Sequence, residues 1–265
     1  MLTNYLLIVL VGFLSAIAVT ILFKNLALRY KFLISGSVTL VGGISMGLSF
    51  LLVSFFGFSS FAILSSQVAG IIIASMAIIV FGIVDDLLEM SILVKFLVQV
   101  IATAVLILFG VRTQIVGIGN IPNIVITFVW ILGIANAFNH LDVIDGLAAG
   151  VAVIVGLAFF AVSLLNADLT TAILSLALAT VAFSFLLFNL PPAKIYMGNS
   201  GSHFLGFVLG SVALLISYAP MERRVALLTP LLILGFPIID TLMLIIIRTG
   251  KKIIPFKKSE SCKRT

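Results

Sequence analysis

Charged residues are scarce in this sequence, where 15 Lys or Arg and 9 Asp or Glu make up only 9% of 265 residues. An ordinary soluble domain carries about 25% charged residues, so a chain with so few could not cover a water-exposed surface. The one cysteine, Cys262, excludes a disulfide scaffold. The hydrophobic fraction of 62% excludes a disordered protein. The class that remains is an integral membrane protein, in line with a mean hydropathy of +1.37.

Long apolar stretches fill most of the sequence. A membrane helix needs about 20 mostly apolar residues, and nine such stretches lie near 3–23, 38–58, 67–84, 92–110, 121–139, 147–165, 169–189, 203–219 and 225–247. The connections between them are too short for a water-soluble domain. We therefore predict an all-α, polytopic transmembrane bundle of nine to ten spans, with residues 1–250 as a single domain and 251–265 as a basic cytoplasmic tail.

The distribution of basic residues predicts the orientation of this bundle. With the N-terminus outside, 12 of the 15 Lys and Arg residues lie on the inner side, against Arg112, Arg223 and Arg224 outside. Cytoplasmic loops are enriched in Lys and Arg, so we expect an outside N-terminus and a cytoplasmic C-terminus. Seven of the nine acids and both histidines fall on the same inner side. We therefore expect a multi-pass protein of the plasma membrane whose active site lies on the cytoplasmic face.

A pair of adjacent acids, Asp85 and Asp86, ends the third apolar stretch. Adjacent carboxylates repel each other, which suits them to bind a metal ion or to act as a general base. A solvated helix end would explain a single Asp, but acids close to a membrane are costly and are usually functional. Lys95 and Gln99 follow at helical spacing. A lysine that extends to the membrane interface is the simplest explanation for that second pair.

Four polar residues recur at every third position: Asn136, Asn139, Asp142 and Asp145. If the segment is helical, these side chains form one polar stripe near the end of a helix. A stripe of two amides and two carboxylates suits a hydrated cation and a polar substrate. The alternative is an ordinary polar loop between the fifth and sixth spans.

Small and polar residues precede the eighth span, in the order Lys194, Gly198, Ser200 and Gly201. Gly and Ser at a helix start predict an N-cap and a candidate anion nest formed by backbone N–H groups. Lys194 would add a point charge for a phosphate. Capping alone would also explain the Gly and Ser residues.

The last apolar stretch contains Pro237 and Asp240. Proline inside a helix removes a hydrogen bond and predicts a kink or a break. Asp240 then lies within the span, where an unpaired carboxylate is costly. We therefore expect Asp240 to face the bundle, with Lys95 as a candidate structural partner.

Taken together and in this order, these segments resemble the polyprenyl-phosphate N-acetylhexosamine-1-phosphate transferases, which form glycosyltransferase family 4. The matching pieces are VDDLLEMSILVKFLVQ at 84–99, NAFNHLDVIDGLAAG at 136–150, FNLPPAKIYMGNSGSHFLGF at 188–207 and GFPIIDT at 235–241. The resemblance implies a membrane transferase of cell-envelope glycopolymer synthesis. In that reaction a lipid phosphate attacks the β-phosphorus of a UDP-amino sugar and releases UMP, with Mg²⁺ as cofactor and Mn²⁺ as the alternative ion.

The resemblance also implies residue roles and partners. Asp85 would deprotonate or orient the lipid phosphate, and the implied catalytic set is Asp85, Asp86 and Asp145. The implied metal ligands are Asp142 and Asn199. The implied substrate-binding residues are Lys95, Asn136, Asn139, Lys194, Gly198, Ser200 and Gly201. The implied partners are a UDP-amino sugar, undecaprenyl or dolichyl phosphate, the lipid bilayer and a second copy in a homodimer, and we expect no nucleic acid.

The sequence departs from the family pattern at three places. Asn199 stands where the family carries an Asp that binds Mg²⁺, and the lost negative charge predicts weaker metal binding. The first inner loop, 24–37, lacks a basic run with His and Pro, and the tail lacks the family's histidines. These departures leave an alternative, a paralogue that binds lipid phosphate or sugar nucleotide without efficient turnover. A transporter or channel with similar acids is a further alternative, although we find no repeated halves typical of transporters.

Overall fold

The computed structural model describes residues 2–61, 65–216 and 228–250, which form ten helices and one short hairpin. The helices are α1 (Leu2–Tyr30), α2 (Gly42–Phe61), α3 (Ser66–Leu88), α4 (Ile92–Leu108), α5 (Asn120–Leu141), α6 (Leu147–Leu165), α7 (Leu169–Asn189), α8 (Gly198–Leu215), α9 (Leu228–Ile233) and α10 (Gly235–Gly250). The hairpin pairs β1 (Ile34–Ser35) antiparallel with β2 (Val38–Thr39). Each predicted apolar stretch contains a helix, so the predicted helical class is confirmed.

Six of the described helices are long and apolar enough to cross a membrane: α1, α2, α3, α5, α6 and α7. α4 is also apolar but has only 17 residues. Large apolar side chains are exposed along the outer helices, as the 75% exposed Phe55 of α2 illustrates. The chain is therefore an all-α, multi-pass membrane protein. The predicted basic tail, 251–265, and the predicted outer Arg223 and Arg224 lie outside the described residues.

The buried core is centred on α7 and α8, most of whose residues are buried. α8 packs against α2, α3 and α5, which surround it. The rings of Phe50 and Phe204 meet edge to face with centroids 5.5 Å apart. The indole N–H of Trp130 donates a 3.0 Å hydrogen bond to the backbone oxygen of Gly210. These contacts hold α8 in a fixed position relative to the helices that carry the predicted site residues.

Glycines let the first turn of α8 approach its neighbours closely. A Cβ atom at Gly82 of α3 would lie 2.8 Å from the backbone nitrogen of Ser200, and one at Gly43 of α2 would collide with the Ser200 hydroxyl. The N–H group of Gly43 also donates a 3.0 Å hydrogen bond to the backbone oxygen of Met197. Small residues of this kind allow membrane helices to pack with their backbones close together. The start of α8 is thus enclosed by α2 and α3.

The last predicted span is divided into α9 and α10, which confirms the break expected from Pro237. Proline has no N–H group to donate to the oxygen four residues earlier, which is that of Ile233, and its ring crowds that oxygen. α9 accordingly ends at Ile233. Pro237 is the third residue of α10, where a backbone N–H group would have no partner within the helix in any case.

Asp240 is exposed and interacts electrostatically with His140 of α5. The candidate partnership with Lys95 is wrong, because Lys95 forms its ion pair with Asp85. α10 packs against α5 and α9 along one side, and Pro237 is the residue of α10 that is buried there. Asp240 lies three residues after Pro237, close to one helical turn, and therefore on nearly the same side of α10. It is exposed, as are most residues of this helix.

Candidate active site

The predicted polar segments meet at one end of the bundle. Because consecutive helices alternate in direction, the ends of α3 and α5 lie on the same side as the starts of α4 and α8. Hydrogen bonds and an ion pair join all four ends. The convergence that the sequence predicts is therefore present in the structure.

Asp85 and Lys95 form a partly buried ion pair across the turn between α3 and α4. The Lys95 Nζ atom lies 2.6 Å from Asp85 Oδ2, and the Met90 N–H group donates a 2.8 Å hydrogen bond to Asp85 Oδ1. Glu89 adopts the left-handed conformation, with φ of 47°, and ends α3. Ser91 then caps α4 and directs Lys95 back towards Asp85. The Asp85 side chain is 1% exposed and that of Lys95 is 28% exposed, so a ligand outside the bundle would meet Lys95 first.

Asp86 points away from Asp85 and caps the start of α8. Its Oδ1 accepts a 2.7 Å hydrogen bond from the Asn199 N–H group. Its Oδ2 accepts from the N–H group of Ser200 at 3.1 Å and from the Ser200 hydroxyl at 2.8 Å. Gly198 has a φ of 73°, and a Cβ atom there would lie 2.6 Å from Asp86 Oδ2. Only glycine allows the carboxylate to come this close.

The anion nest predicted at the start of α8 therefore holds a carboxylate of the chain itself. A negative charge is stabilised at a helix N-terminus because the backbone N–H groups there have no partners within the helix. Ser200 and Gly201, both predicted to bind substrate, are buried. Ser200 contacts Asp86, and Gly201 packs against Gly43. In this structure both residues stabilise the fold around the site.

The polar stripe follows α5 for half of its predicted length. α5 ends at Leu141, so Asp142 is the C-cap residue and Asp145 lies in the turn beyond it. The Asn136 amide donates to Gln99 Oε1 at 2.8 Å, and Asn139 Oδ1 accepts from the Ser202 hydroxyl at 2.9 Å. The condition for a single helical stripe holds only for Asn136 and Asn139, because the chain continues after Leu141 in tight turns. The stripe nevertheless connects α5 with both α4 and α8.

The segment between α7 and α8 forms the rim of the site. Asp145 Oδ2 accepts a 3.3 Å hydrogen bond from the Ala193 N–H group. Buried Asn189 accepts from the Gly146 N–H group and donates to the Ile195 backbone oxygen, each at 3.0 Å. Lys194, predicted to bind phosphate, is exposed at this rim. The rim is thereby fixed on both sides, with the Lys194 side chain directed to the outside.

Two further polar residues of this end were not predicted as site residues. Gln99 is 3% exposed and His203 is 7% exposed. Together with Asp85 and Lys95 they line a cavity of about 10 Å³. His203 Nδ1 lies 2.9 Å from the Asn199 backbone oxygen. The sequence gives only a weak signal for either residue. Gln99 lies four positions after Lys95 and His203 lies four positions after Asn199, and each is a single polar residue in an apolar helix.

Among the described residues, no group of three His, Cys, Asp or Glu side chains could hold a metal ion. Magnesium is commonly bound by one or two carboxylates together with substrate phosphates and water, so a smaller donor set still fits this ion. Asp142 at the end of α5 and Asn199 at the start of α8 offer hard oxygen donors. The Ser202–Asn139 hydrogen bond joins the same two helix ends. The residues present therefore fit an ion that the substrate helps to bind.

Comparison with known proteins identifies relatives of this chain. It is 36% identical over 197 residues to a protein of Bacillus subtilis named "Probable undecaprenyl-phosphate N-acetylglucosaminyl 1-phosphate transferase". The matched segment covers 71% of this chain and 54% of the relative. It is 33% identical over 214 residues to the decaprenyl-phosphate N-acetylglucosaminephosphotransferase of Mycolicibacterium smegmatis, a match that covers 70% of this chain and 52% of that relative. It is 41% identical over 138 residues to the phospho-N-acetylmuramoyl-pentapeptide-transferase of Clostridium beijerinckii, a match that covers 52% of this chain and 39% of that relative. The chain thus spans about half the length of the curated relatives it matches.

The family model described as glycosyl transferase family 4 matches residues 68–217, more than half of the chain. This range extends from α3 to the end of α8 and contains the Asp85–Lys95 pair, the polar stripe of α5 and the capped start of α8. The resemblance stated from the sequence motifs is thereby confirmed, and the chain belongs to glycosyl transferase family 4.

Proposed function

We propose that this chain transfers an amino-sugar 1-phosphate from a UDP-sugar to a polyprenyl phosphate and releases UMP, as a step of cell-envelope glycopolymer synthesis. The observation that carries the proposal is the Asp85–Lys95 pair at the end of the bundle, within the segment that matches the family. The relatives are named as transferases that act on undecaprenyl or decaprenyl phosphate. These comparisons give no support to the alternative of a paralogue without efficient turnover.

In the proposed reaction, an oxygen of the lipid phosphate attacks the β-phosphorus of the UDP-sugar. A new P–O bond forms while the bond from that phosphorus to the bridging oxygen breaks, and UMP leaves with this oxygen. Phosphoryl transfer depends mainly on positioning and on charge neutralisation. The partly exposed Lys95 ammonium group binds the lipid phosphate. Asp85, fixed by Lys95 and by the Met90 N–H group, orients that phosphate and accepts its proton.

The UDP-sugar lies on the α5 side of this pair in the proposal. Asn139, Asp142 and Asp145 supply polar groups there, and Lys194 at the rim attracts the diphosphate. Mg²⁺ held by Asp142 and Asn199 would neutralise the charge of the diphosphate when bound. Asn136 supports Gln99 through their hydrogen bond and thus maintains the wall of the site.

We also propose that the site faces the cytoplasm in a bundle of nine to ten spans, with the N-terminus outside. Lys24, Lys194 and Arg248 all lie at or near the site end of the bundle, whereas Arg112 lies at the opposite end. Basic residues are enriched on the cytoplasmic side of membrane proteins, which supports this orientation. The plasma membrane location, the N-acetylated donor sugar and a homodimer are proposed from the family resemblance.

The test is UMP release by the purified full chain in detergent, with UDP-N-acetylglucosamine as donor and undecaprenyl phosphate as acceptor. We expect UMP and a lipid-linked sugar diphosphate in equal amounts. Reactions without the lipid phosphate serve as the control for simple hydrolysis. If no UDP-amino sugar yields UMP while the chain still binds polyprenyl phosphate, the proposed transferase activity is wrong.

A further inference from the structure

His203 is a buried polar residue that the proposed reaction does not use. It lies in the second turn of α8, and its Nδ1 atom is 2.9 Å from the Asn199 backbone oxygen. A carbonyl oxygen can only accept a hydrogen bond, so Nδ1 must carry the proton. In the neutral imidazole Nε2 then has the free lone pair and acts as an acceptor. The backbone of Asn199 thus selects which ring nitrogen of His203 can accept a hydrogen bond.

The His203 ring borders the cavity that Asp85, Lys95 and Gln99 also line. The rest of the wall includes the apolar side chains of Ile78 and Phe81. A cavity of about 10 Å³ is close to the smallest that holds one water molecule. In such apolar surroundings an unpaired polar group is costly, so a buried acceptor such as His203 Nε2 is stabilised by a donor or a water molecule at this cavity.

The Lys95 ammonium group has more hydrogen-bond donors than its ion pair uses. The Lys95 ammonium group has three N–H donors, one of which is directed at Asp85. Gln99 Oε1 accepts one hydrogen bond, from the Asn136 amide. Nε2 of His203 is a further acceptor on a residue that borders the same cavity as Lys95.

We propose that His203 is a positioning residue for Lys95. Its Nε2 atom accepts a hydrogen bond from the Lys95 ammonium group, directly or through one water molecule, and so fixes that group where it binds the lipid phosphate. The inference rests on the proposed function, because phosphate binding by Lys95 is part of that function. Lys95 has a flexible four-carbon side chain, so a single acceptor, Asp85, would still allow the ammonium group to rotate. Two acceptors, Asp85 and His203, define the position of that group.

Substitutions at His203 separate its two nitrogen atoms. In His203→Asn the shorter amide lies near the Nδ1 position and can still donate to the Asn199 oxygen, but it cannot reach the cavity. In His203→Gln the longer amide places an oxygen near the Nε2 position. His203→Leu removes both hydrogen bonds while it fills a similar volume. The matched control is Ser211→Ala on the same helix, where a buried hydroxyl donates to the Phe207 backbone oxygen at 2.7 Å, away from the cavity.

The measurements are KM for undecaprenyl phosphate, KM for the UDP-sugar, and kcat, each with the full chain in detergent. Loss of a hydrogen bond to a charged group is expected to raise KM for the lipid phosphate about tenfold in His203→Asn and His203→Leu. His203→Gln should recover most of this loss, and KM for the UDP-sugar should change little in all three. A residue that only stabilises α8 would give the opposite order, with His203→Asn better than His203→Gln. That order, or equal KM values in all three variants, overturns the inference.

Equilibrium binding of undecaprenyl phosphate to the same variants separates this inference from the proposed function. We expect weaker binding in His203→Asn than in His203→Gln, even in conditions without UDP-sugar. If the wild-type chain turns over but the variants bind the lipid phosphate equally well, the inference is wrong and the transferase proposal stands. If the wild-type chain binds no polyprenyl phosphate, both are wrong.

Discussion

The Asp86 carboxylate accepts a 2.7 Å hydrogen bond from the Asn199 backbone N–H group, although the two residues are 113 positions apart in sequence. The preceding residue, Asp85, points to a different helix and pairs with Lys95. Two adjacent acids therefore contact two different helices. Asp86 fixes the start of α8, and Asp85 fixes the Lys95 ammonium group on α4.

Removal of the Asp86 carboxylate should reduce both stability and activity. Asp86→Ala leaves the N–H groups of Asn199 and Ser200 without their acceptor, and loss of a helix cap typically costs about 1–2 kcal/mol. The thermal unfolding midpoint in detergent and the rate of UMP release measure the two effects. A double-mutant cycle with Ser200→Ala should show a coupling energy, because the hydroxyl and the carboxylate share a hydrogen bond.

Asp168→Ala is the matched control for this prediction. Asp168 caps α7 at the opposite end of the bundle, where it accepts from the Thr171 N–H group at 3.1 Å and from the Thr171 hydroxyl at 2.6 Å. Its loss should lower the unfolding midpoint to a similar extent but leave the turnover of the folded protein unchanged. Equal losses of turnover in both variants would argue that Asp86 has no special connection with the site.

Gly82→Ala should destabilise the contact between α3 and α8. The added methyl group would overlap the backbone of Ser200, and overpacking of this kind costs about 1–3 kcal/mol. Gly133→Ala in α5 is the control, since a Cβ atom there meets nothing within 4 Å and alanine is the better helix former by about 1 kcal/mol. Thermal unfolding should show a lower midpoint for the first variant and an equal or higher one for the second. A Gly82→Ala midpoint equal to that of the wild type would contradict the tight packing of α8.

Asp85→Asn should nearly abolish turnover while UDP-sugar binding remains largely intact. The change removes the carboxylate that orients the lipid phosphate and accepts its proton, and general-base residues contribute roughly a hundredfold or more to a rate. Rates of UMP release and the affinity for the UDP-sugar measure the two sides of this prediction. Glu89→Gln removes an acid of the same charge from an exposed position nearby and should retain turnover. A normal rate in Asp85→Asn would remove this residue from its proposed role.

The sequence predicts the helices and the convergence of polar residues at one end because both depend on local patterns. Apolar stretches long enough for a membrane specify helices, and alternation of direction places the polar ends together. The directions of individual side chains are less predictable. Successive residues of a helix point about 100° apart, so Asp85 and Asp86 must face different neighbours, but only the packing of α4 and α8 decides which.

Three features show where prediction from the sequence fails. The three-residue spacing of the polar stripe continues past Leu141, but the backbone there forms tight turns, as the 3.4 Å bond from the Val143 N–H group to the His140 oxygen shows. A single histidine in an apolar helix, such as His203, resembles an ordinary core residue until its partners are known. Asp240 does not pair with Lys95, because its partner depends on how α10 packs against α5, which no local pattern determines.

Asn199→Asp should lower the Mg²⁺ concentration needed for half-maximal turnover. Asn199 contributes to the fold through its backbone, which donates to Asp86 and accepts from His203, so the substitution retains both contacts. The new carboxylate adds a negative charge beside the proposed ion, and Mg²⁺ favours carboxylate oxygen over amide oxygen. Titration of UMP release with Mg²⁺ measures the change. Asn120→Asp adds the same charge at an exposed position at the opposite end and should leave the metal dependence unaltered. If Asn199→Asp behaves like this control, Asn199 is not a metal ligand.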